Sequence, residues 1–405
     1  MPYNLLLMGA SVQVAEPKRR RKFRRIRDFW ERVTEGLQLH QLWGQFVSET
    51  KASYRLYSAD VDWEEVGRGR TRFRRLVRSV QAMFLAMLMK LSPSRRVILL
   101  VAIVLLLFNV RYKQGPTEVG FNTSILGVAL LFLLLAMELA DRVTMKRDLE
   151  IAREIQEWLV PSRAPSAEGL DIAFATRPQN TVAGDYYDAF ARAQAANPSG
   201  VPPLLIAVAD VAGKSVPAAL LMATFQASLR ALAATPATLE EIVTGLDRYC
   251  RAHSLEGRRF TTAFLAQVDL STHEMVYVNA GHNAPILQRA SGAIERLKVG
   301  GPPFGLPLFS DRETIYPIGR TPLFPGDLLV IFTDGVVEAV EDSGSEFGEP
   351  RLLGSIQRAA SGSAGETLHC IMTDVNNFVG YARQHDDITC LVLRVTSNTT
   401  ASSAV

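Results

Sequence analysis

Two uncharged apolar runs, Val97 to Val110 and Val119 to Met137, dominate the hydropathy pattern of the chain. Both are apolar on every face, so neither reads as an amphipathic surface helix. A helix rising about 1.5 Å per residue needs about 20 residues to cross a hydrocarbon core. The second run, with nineteen residues, meets that length. The first has fourteen and is flanked by Arg96 and Arg111, whose long side chains reach headgroups from inside the bilayer. Gly115-Pro116 reads as a tight connection between them. The alternative is a helical hairpin buried in a soluble core, but no other N-terminal segment offers a matching apolar partner. Beyond the second run, residues 138 to 160 lack Gly and Pro and place Met145, Leu149, Ala152, Ile155 and Leu159 at helical steps. One helix is expected to continue out of the second run and stop before Pro161. Its stripe can dock on the domain that follows or pair with its copy in a homodimer, and the pattern leaves both open.

From Leu170 the pattern turns to strands. Ile172–Thr176, Tyr186–Ala191, Leu204–Val211, Thr261–Val268, Met275–Asn279, Pro285–Leu287, Leu328–Phe332 and Ile388–Val395 are short, β-rich and bounded by turn residues. Helical patterns cover Val216–Ala233, Leu239–Ala252 and Glu366–Val379. Strands in runs and helices in blocks predict an α+β fold with antiparallel sheets, not a βαβ repeat. Arg192 to Pro202 reads as a polar insertion loop.

Charge adds a polarity that the net value of +3 conceals. Residues 1 to 96 hold twenty Lys and Arg against nine Asp and Glu, so the remainder is acidic. Lys18 to Arg27 and Arg68 to Arg78 are the basic stretches, and the second leads into an amphipathic segment from Val80 to Leu88. Beside two apolar runs, such a segment reads as an interfacial helix on anionic lipid, and nucleic acid is not the expected partner. Basic residues cluster before the first run and after the second, which predicts both termini in the cytoplasm. Three scattered cysteines, Cys250, Cys370 and Cys390, argue for a reducing compartment without disulfides. No cleavable signal peptide is evident.

The candidate chemistry lies in four aspartates at strand ends: Asp185 in GDYYD, Asp210 in ADVAGK, Asp334 in TDG and Asp386 in HDDIT. Converging carboxylates repel unless cations sit between them. A hard divalent ion, Mg²⁺ or Mn²⁺, or two sharing a ligand, resolves that repulsion, and such a pair suits phosphoryl displacement. Asp185 and Asp188 lie three apart on a strand and face opposite sides, so Asp185 is the candidate ligand and Asp188 the candidate structural hydrogen-bonding group. Asp387 points away from Asp386 for the same reason.

The ordered motifs AREIQ…LVP (152–161), GDYYD (184–188), DVAGK-x-VPAAL (210–220), FTT (260–262), NAGHN (279–283), TDGV (333–336) and DDIT (386–389) resemble the SpoIIE-like branch of the bacterial PPM metal-dependent serine/threonine phosphatases, over residues 147 to 396. The resemblance implies an α-β-β-α sandwich of two antiparallel sheets. It implies two Mn²⁺ or Mg²⁺ ions held by Asp185, Asp210, the Val211 backbone carbonyl, Asp334 and Asp386, with Asp188, Asp387 and Gly335 behind them. A metal-bridged hydroxide would hydrolyse phosphoserine or phosphothreonine on a regulatory protein, a STAS-type anti-anti-sigma factor. His282 would protonate the leaving oxygen or hold the phosphate, unless it is a turn histidine bonded to backbone, and Asn283 would touch substrate. The implied location is the bacterial inner membrane.

The expected domains are a basic region (1–94), a transmembrane hairpin (95–140), a linker helix (141–161), a phosphatase-type domain (162–397) and a tail (398–405). The rival reading is a catalytically idle, membrane-tethered partner-binding module. Two positions depart from the family pattern: Ala183 and Ser215 stand where glycine is usual. Ser215 either pays about 1 kcal/mol for a positive φ or serves as a helix cap.

Overall fold

The computed structural model describes residues 72–108, 111–112, 121–192, 201–254, 258–306 and 314–397. The stretch Lys18 to Arg27, the Gly115-Pro116 connection, most of the 192–202 loop and the 398–405 tail lie outside them. Contacts divide the chain into Met1–Ala140 and Asp141–Val405.

In the first unit, α1 (Arg72–Lys90) precedes α2 (Pro93–Leu107). Ser92 stands at the N-cap of α2 with Pro93 in its first turn, so the helix starts before the uncharged run. A two-residue ladder pairs β1 (Arg111–Tyr112) with β2 (Phe121–Asn122), and α3 (Thr123–Leu159) follows. That ladder delays the helix relative to the run starting at Val119. Gly127 lets α3 approach α2: an added Cβ would lie 3.1 Å from the Ala102 carbonyl. Arg95 pairs with Glu138 at 3.1 Å. Most side chains along the apolar part of α3 face outward, including Ile125, Leu126, Val128 and Phe132.

The second unit is a layered sandwich. Among the described residues, one sheet has the order β10 (Gly300–Gly301), β7 (Glu274–Ala280), β6 (Thr261–Asp269), β5 (Leu204–Val211), β4 (Asp185–Ala191), with β11 (Gly319–Pro322) also on β7. The other runs β3 (Leu170–Arg177), β13 (Ile388–Val395), β12 (Leu328–Phe332), β8 (Ile286–Gln288), β9 (Ile294–Arg296). Tyr187, Ile206 and Phe264 from the first sheet meet Leu329, Leu391 and Ile172 from the second in a common core. The outer face of the first sheet packs on α4 (Ser215–Ala233) and α5 (Leu239–Ala252) through Tyr186, Leu205, Phe225 and Leu246. The outer face of the second packs on α7 (Gly348–Arg358) and α8 (Ala364–Val379), behind the short α6 (Asp334–Val337). This is the expected α-β-β-α order. Central strands such as β5, β12 and β13 are buried on both faces, which is why their sequences are continuous apolar runs. Capping boxes at Thr238–Glu241 and Ser363–Glu366 fix the starts of α5 and α8.

Among the described residues, two helices, α3 and α4, are long and apolar enough to cross a membrane by length and composition. Met222, Phe225 and Leu229 of α4 are buried in the sandwich, so α4 is a core helix.

Candidate metal centre

Strand pairing brings the sequence-predicted carboxylates to one end of the sandwich. Asp185 of β4 is the register partner of Asp210 of β5, and Asp210 is the partner of Thr262 of β6. Paired residues in an antiparallel ladder lie about 5 Å apart and share a face. In the other sheet Phe332 pairs with Cys390, and the Thr333 amide donates to the Thr389 carbonyl at 3.0 Å. Asp334 therefore leaves β12 beside the segment where Asp386 and Asp387 enter β13.

The interior of the site is built on threonines. The Thr333 hydroxyl donates to Asp185 Oδ2 at 2.9 Å and accepts from the Thr389 amide at 3.0 Å. Thr389 Oγ1 lies 2.8 Å from Thr176 Oγ1. Asp387 faces away from the cluster opening: Oδ1 accepts from the Gln179 amide and Oδ2 from the Gly184 amide, both at 2.6 Å. It fixes the β3–β4 turn that delivers Asp185. Gly184 is cradled, because a Cβ there would lie 3.1 Å from Ala218 Cβ and 3.2 Å from the Val211 carbonyl oxygen. On the other side of the turn, Gln156 of α3 brackets Ala183, donating to its carbonyl at 2.8 Å and accepting from its amide at 2.9 Å.

Asp188 points to the opposite face of β4, as the alternation requires. It is fully buried, accepts from Tyr186 Oη at 2.5 Å, and receives Arg230 of α4 through Nε at 2.8 Å and a second guanidinium nitrogen at 2.9 Å. Arg230 also covers the Phe190 ring. Breaking such a pair from one side strands a buried charge. Because Arg230 is itself 42% exposed, Arg230→Leu is expected to cost about 2–4 kcal/mol, less than for a fully buried pair. Arg230→Leu combined with Asp188→Asn should recover part of that loss. Thermal melts check this, and a single variant within about 0.5 kcal/mol of the parent would remove the tether from the account.

His282 sits in the turn after β7. It is buried, its amide donates to Asn279 Oδ1 at 2.7 Å, and its Nδ1 lies 3.1 Å from Thr262 Oγ1. Burial pushes its imidazole down to about 4, so the ring is neutral at physiological pH. Asn283 is half-buried beside it. Ser215 adopts φ 62° and gives no side-chain cap, since the N-cap of α4 is Lys214. The serine therefore carries the positive-φ strain.

The acids are held in an unfavourable state. Burial, and then Asp210, raise the Asp185 carboxyl well above the ordinary range. Burial, followed by Asp334 and Asp386, pushes Asp210 up to about 7. Burial and then Asp386 raise Asp334, and burial raises Asp387. Such a set of oxygens, with a backbone carbonyl beside it, fits a hard divalent cation. Among the described residues no three Asp, Glu, His or Cys side chains already stand at closed-shell spacing. An ion held by one or two carboxylates, with water completing its shell, needs no such closed group.

These shifts carry a pH signature. Between its unfolded value near 4 and about 7, Asp210 keeps in the fold a proton that the unfolded chain has released, so stability falls as pH rises toward and through 7. His282 works in the opposite sense, but only below its unfolded value of about 6.5. The metal-free protein is thus expected to lose about 1 kcal/mol, or roughly 2–4 °C, between pH 6.5 and 8. Asp210→Asn should flatten that slope. Melting curves in chelator that stay flat for the parent chain would contradict it.

Thr333, Thr389 and Gln156 lie within the motifs quoted above, but sequence reasoning gave none of them a role. For the two threonines a signal exists, since each is a hydroxyl at the end of a buried apolar strand beside a candidate aspartate.

Residues 203–396 match the family described as Stage II sporulation protein E (SpoIIE). Protein IcfG of Synechocystis sp. is 26% identical over 70% of this chain and 47% of its own length. Phosphoserine phosphatase RsbU of Bacillus subtilis is 28% identical over 62% of this chain and 70% of its own length. The chain thus spans about half the length of the first of these relatives and a larger share of the second. Among solved structures, the SiaA-PP2C domain of Pseudomonas aeruginosa superposes with a TM-score of 0.53 at 24% identity, over 63% of this chain and 98% of that domain, a likeness of fold.

Proposed function

We propose that this chain, whose residues 203–396 carry a SpoIIE-family domain of PP2C-like fold, is a metal-dependent protein serine/threonine phosphatase. The observation that carries the reading is the convergence of Asp185, Asp210, Asp334 and Asp386 from four separate segments onto one end of the sandwich, where burial and neighbouring carboxylates raise the first three carboxyls. Two Mn²⁺ or Mg²⁺ ions, when bound, acidify coordinated water and neutralise phosphoryl charge. Asp185, Asp210, the Val211 backbone carbonyl, Asp334 and Asp386 would hold the ions. Thr333 and Thr389 keep Asp185 oriented, and Asp387 keeps the β3–β4 turn in place.

His282 acts through Thr262, opposite Asp210, rather than as the acid for the leaving group, since its ring is buried and burial disfavours the imidazolium that would serve as that acid. Asn283 is the polar contact to substrate. A cavity of about 150 Å³ beside the carboxylates, with Val340, Val379 and Ile388 in its wall and Glu338 and His385 at its polar side, would take the side chain next to the phosphorylated residue.

The proposed substrate is a phosphoserine or phosphothreonine on a regulatory protein of the STAS-type anti-anti-sigma class; the naming of the relative RsbU as a phosphoserine phosphatase supports the phosphoserine part of that reading. The two-helix segment of α2 and α3 anchors the chain in a bacterial inner membrane with both termini cytoplasmic, α1 lies on lipid, and α3 offers a homodimer contact. The test is phosphate release from a phosphoserine protein by the full chain in detergent with Mn²⁺. No release above a chelated control would end the reading.

A further inference from the structure

Lys214 stands where a lysine gains nothing locally. It is the N-cap of α4, at the positive end of the helix, and makes no capping bond. With Ser215 at φ 62° behind it, the side chain crosses instead to the loop before β13. There its ammonium lies 3.0 Å from Asp386 Oδ2 and donates to the His385 carbonyl. The contact joins the segment carrying Asp210 to the segment carrying Asp386, across the ends of the two sheets. Both partners are substantially exposed, at 53% and 40%, so the pair is a weak source of stability. Asp334, Asp210 and Glu338 all feel the same ammonium. A compact point charge on a flexible stem is suited to hold an anion and to leave it.

We propose that the Lys214 ammonium is the resident counter-ion of the metal-free carboxylate cluster, bound at Asp386 and displaced from it when a divalent cation arrives. The inference rests on the reading of the cluster as a divalent-metal site. It makes metal uptake an exchange of one cation for another at Asp386. Lys214 then sets how much free metal the protein needs, and it offsets a small part of the repulsion among the acids.

The experiment is a titration of the full chain in detergent with Mn²⁺, with free Mn²⁺ followed by its EPR signal, for the parent chain, Lys214→Met, Lys214→Arg, Asp386→Asn, Asp210→Asn and the double variant Lys214→Met/Asp386→Asn. Lys214→Met is expected to bind Mn²⁺ roughly three- to fivefold more tightly, the scale of one exposed ion pair, and to melt at a lower temperature in chelator. Lys214→Arg should stay near the parent. In the Asp386→Asn background the gain from Lys214→Met should vanish, because its partner is gone. Weaker or unchanged Mn²⁺ binding by Lys214→Met would assign the lysine to positioning Asp386 and overturn the proposal. A gain of equal size without Asp386 would also overturn it, by reducing the effect to long-range charge. Should Asp210→Asn bind Mn²⁺ as well as the parent chain, the metal reading itself fails and takes the exchange with it.

Discussion

Asp210→Asn is expected to lower Mn²⁺-dependent phosphate release by on the order of 10³-fold or more while making the metal-free protein more stable. The two effects have one cause. Asp210 pairs with Asp185 across the β4–β5 ladder and feels Asp334 and Asp386 from the other sheet, so its charge is opposed from several sides. On the proposed reading, a cation bound at the cluster would offset that repulsion. Asparagine keeps the shape, removes the repulsion and removes the anionic ligand. A destabilised core would lower activity and melting temperature together, whereas loss of a ligand in a strained cluster moves them apart. Phosphate release from a phosphoserine protein and melting curves in chelator, run on the same preparations, give the answer. A variant that keeps more than about a tenth of parental activity would displace Asp210 from the chemistry.

Gly335→Ala carries the second large effect. Gly335 follows Asp334 in the first turn of α6, and a Cβ there would lie 1.9 Å from the Asp387 carbonyl oxygen and 2.9 Å from its carbon. Backbone cannot yield as the end of a flexible side chain does, so the Asp386–Asp387 segment must move. That segment holds the Gln179 and Gly184 amides through the Asp387 carboxylate. One methyl group thus disturbs Asp334, Asp386 and, through the β3–β4 turn, Asp185. The expected cost is about 3 kcal/mol of stability and at least a tenfold loss of Mn²⁺ affinity. Gly354→Ala on α7 is the control, where helix propensity favours alanine and the nearest atom is a flexible arginine end at 3.4 Å. Melting within about 1 kcal/mol of the parent chain, with unchanged Mn²⁺ binding, would show that the α6 contact is slack.

Legibility in the sequence followed burial. Leu204–Val211, Leu328–Phe332 and Ile388–Val395 were readable to the residue because strands covered on both faces need apolar side chains at every position. Leu239–Ala252 was readable from its helical pattern, and the structure shows its start fixed by the Thr238–Glu241 capping box. Gly348–Arg358 was not: it opens on Gly-Glu-Pro and buries only a short stripe at Leu352, Ser355 and Ile356. Gly300–Gly301 and Gly319–Pro322 carry no apolar run and could not be seen, whereas the comparably short Ile286–Gln288 was read because it is apolar. At the site, alternation along β4 was enough to separate Asp185 from Asp188. It could not separate a surface histidine from a buried one, and His282 proved to be the latter.

The sequence by itself determined where the long strands run, that the body is α+β, and that acidic residues stand at strand ends. These follow from local periodicity, which hydrophobic burial imposes residue by residue. Only the tertiary structure decided what those acids touch. Thr333 and Asp185 are 148 positions apart, and Lys214 and His385 are 171 apart. Partners so distant are chosen by strand order and register across two sheets, which no local pattern encodes.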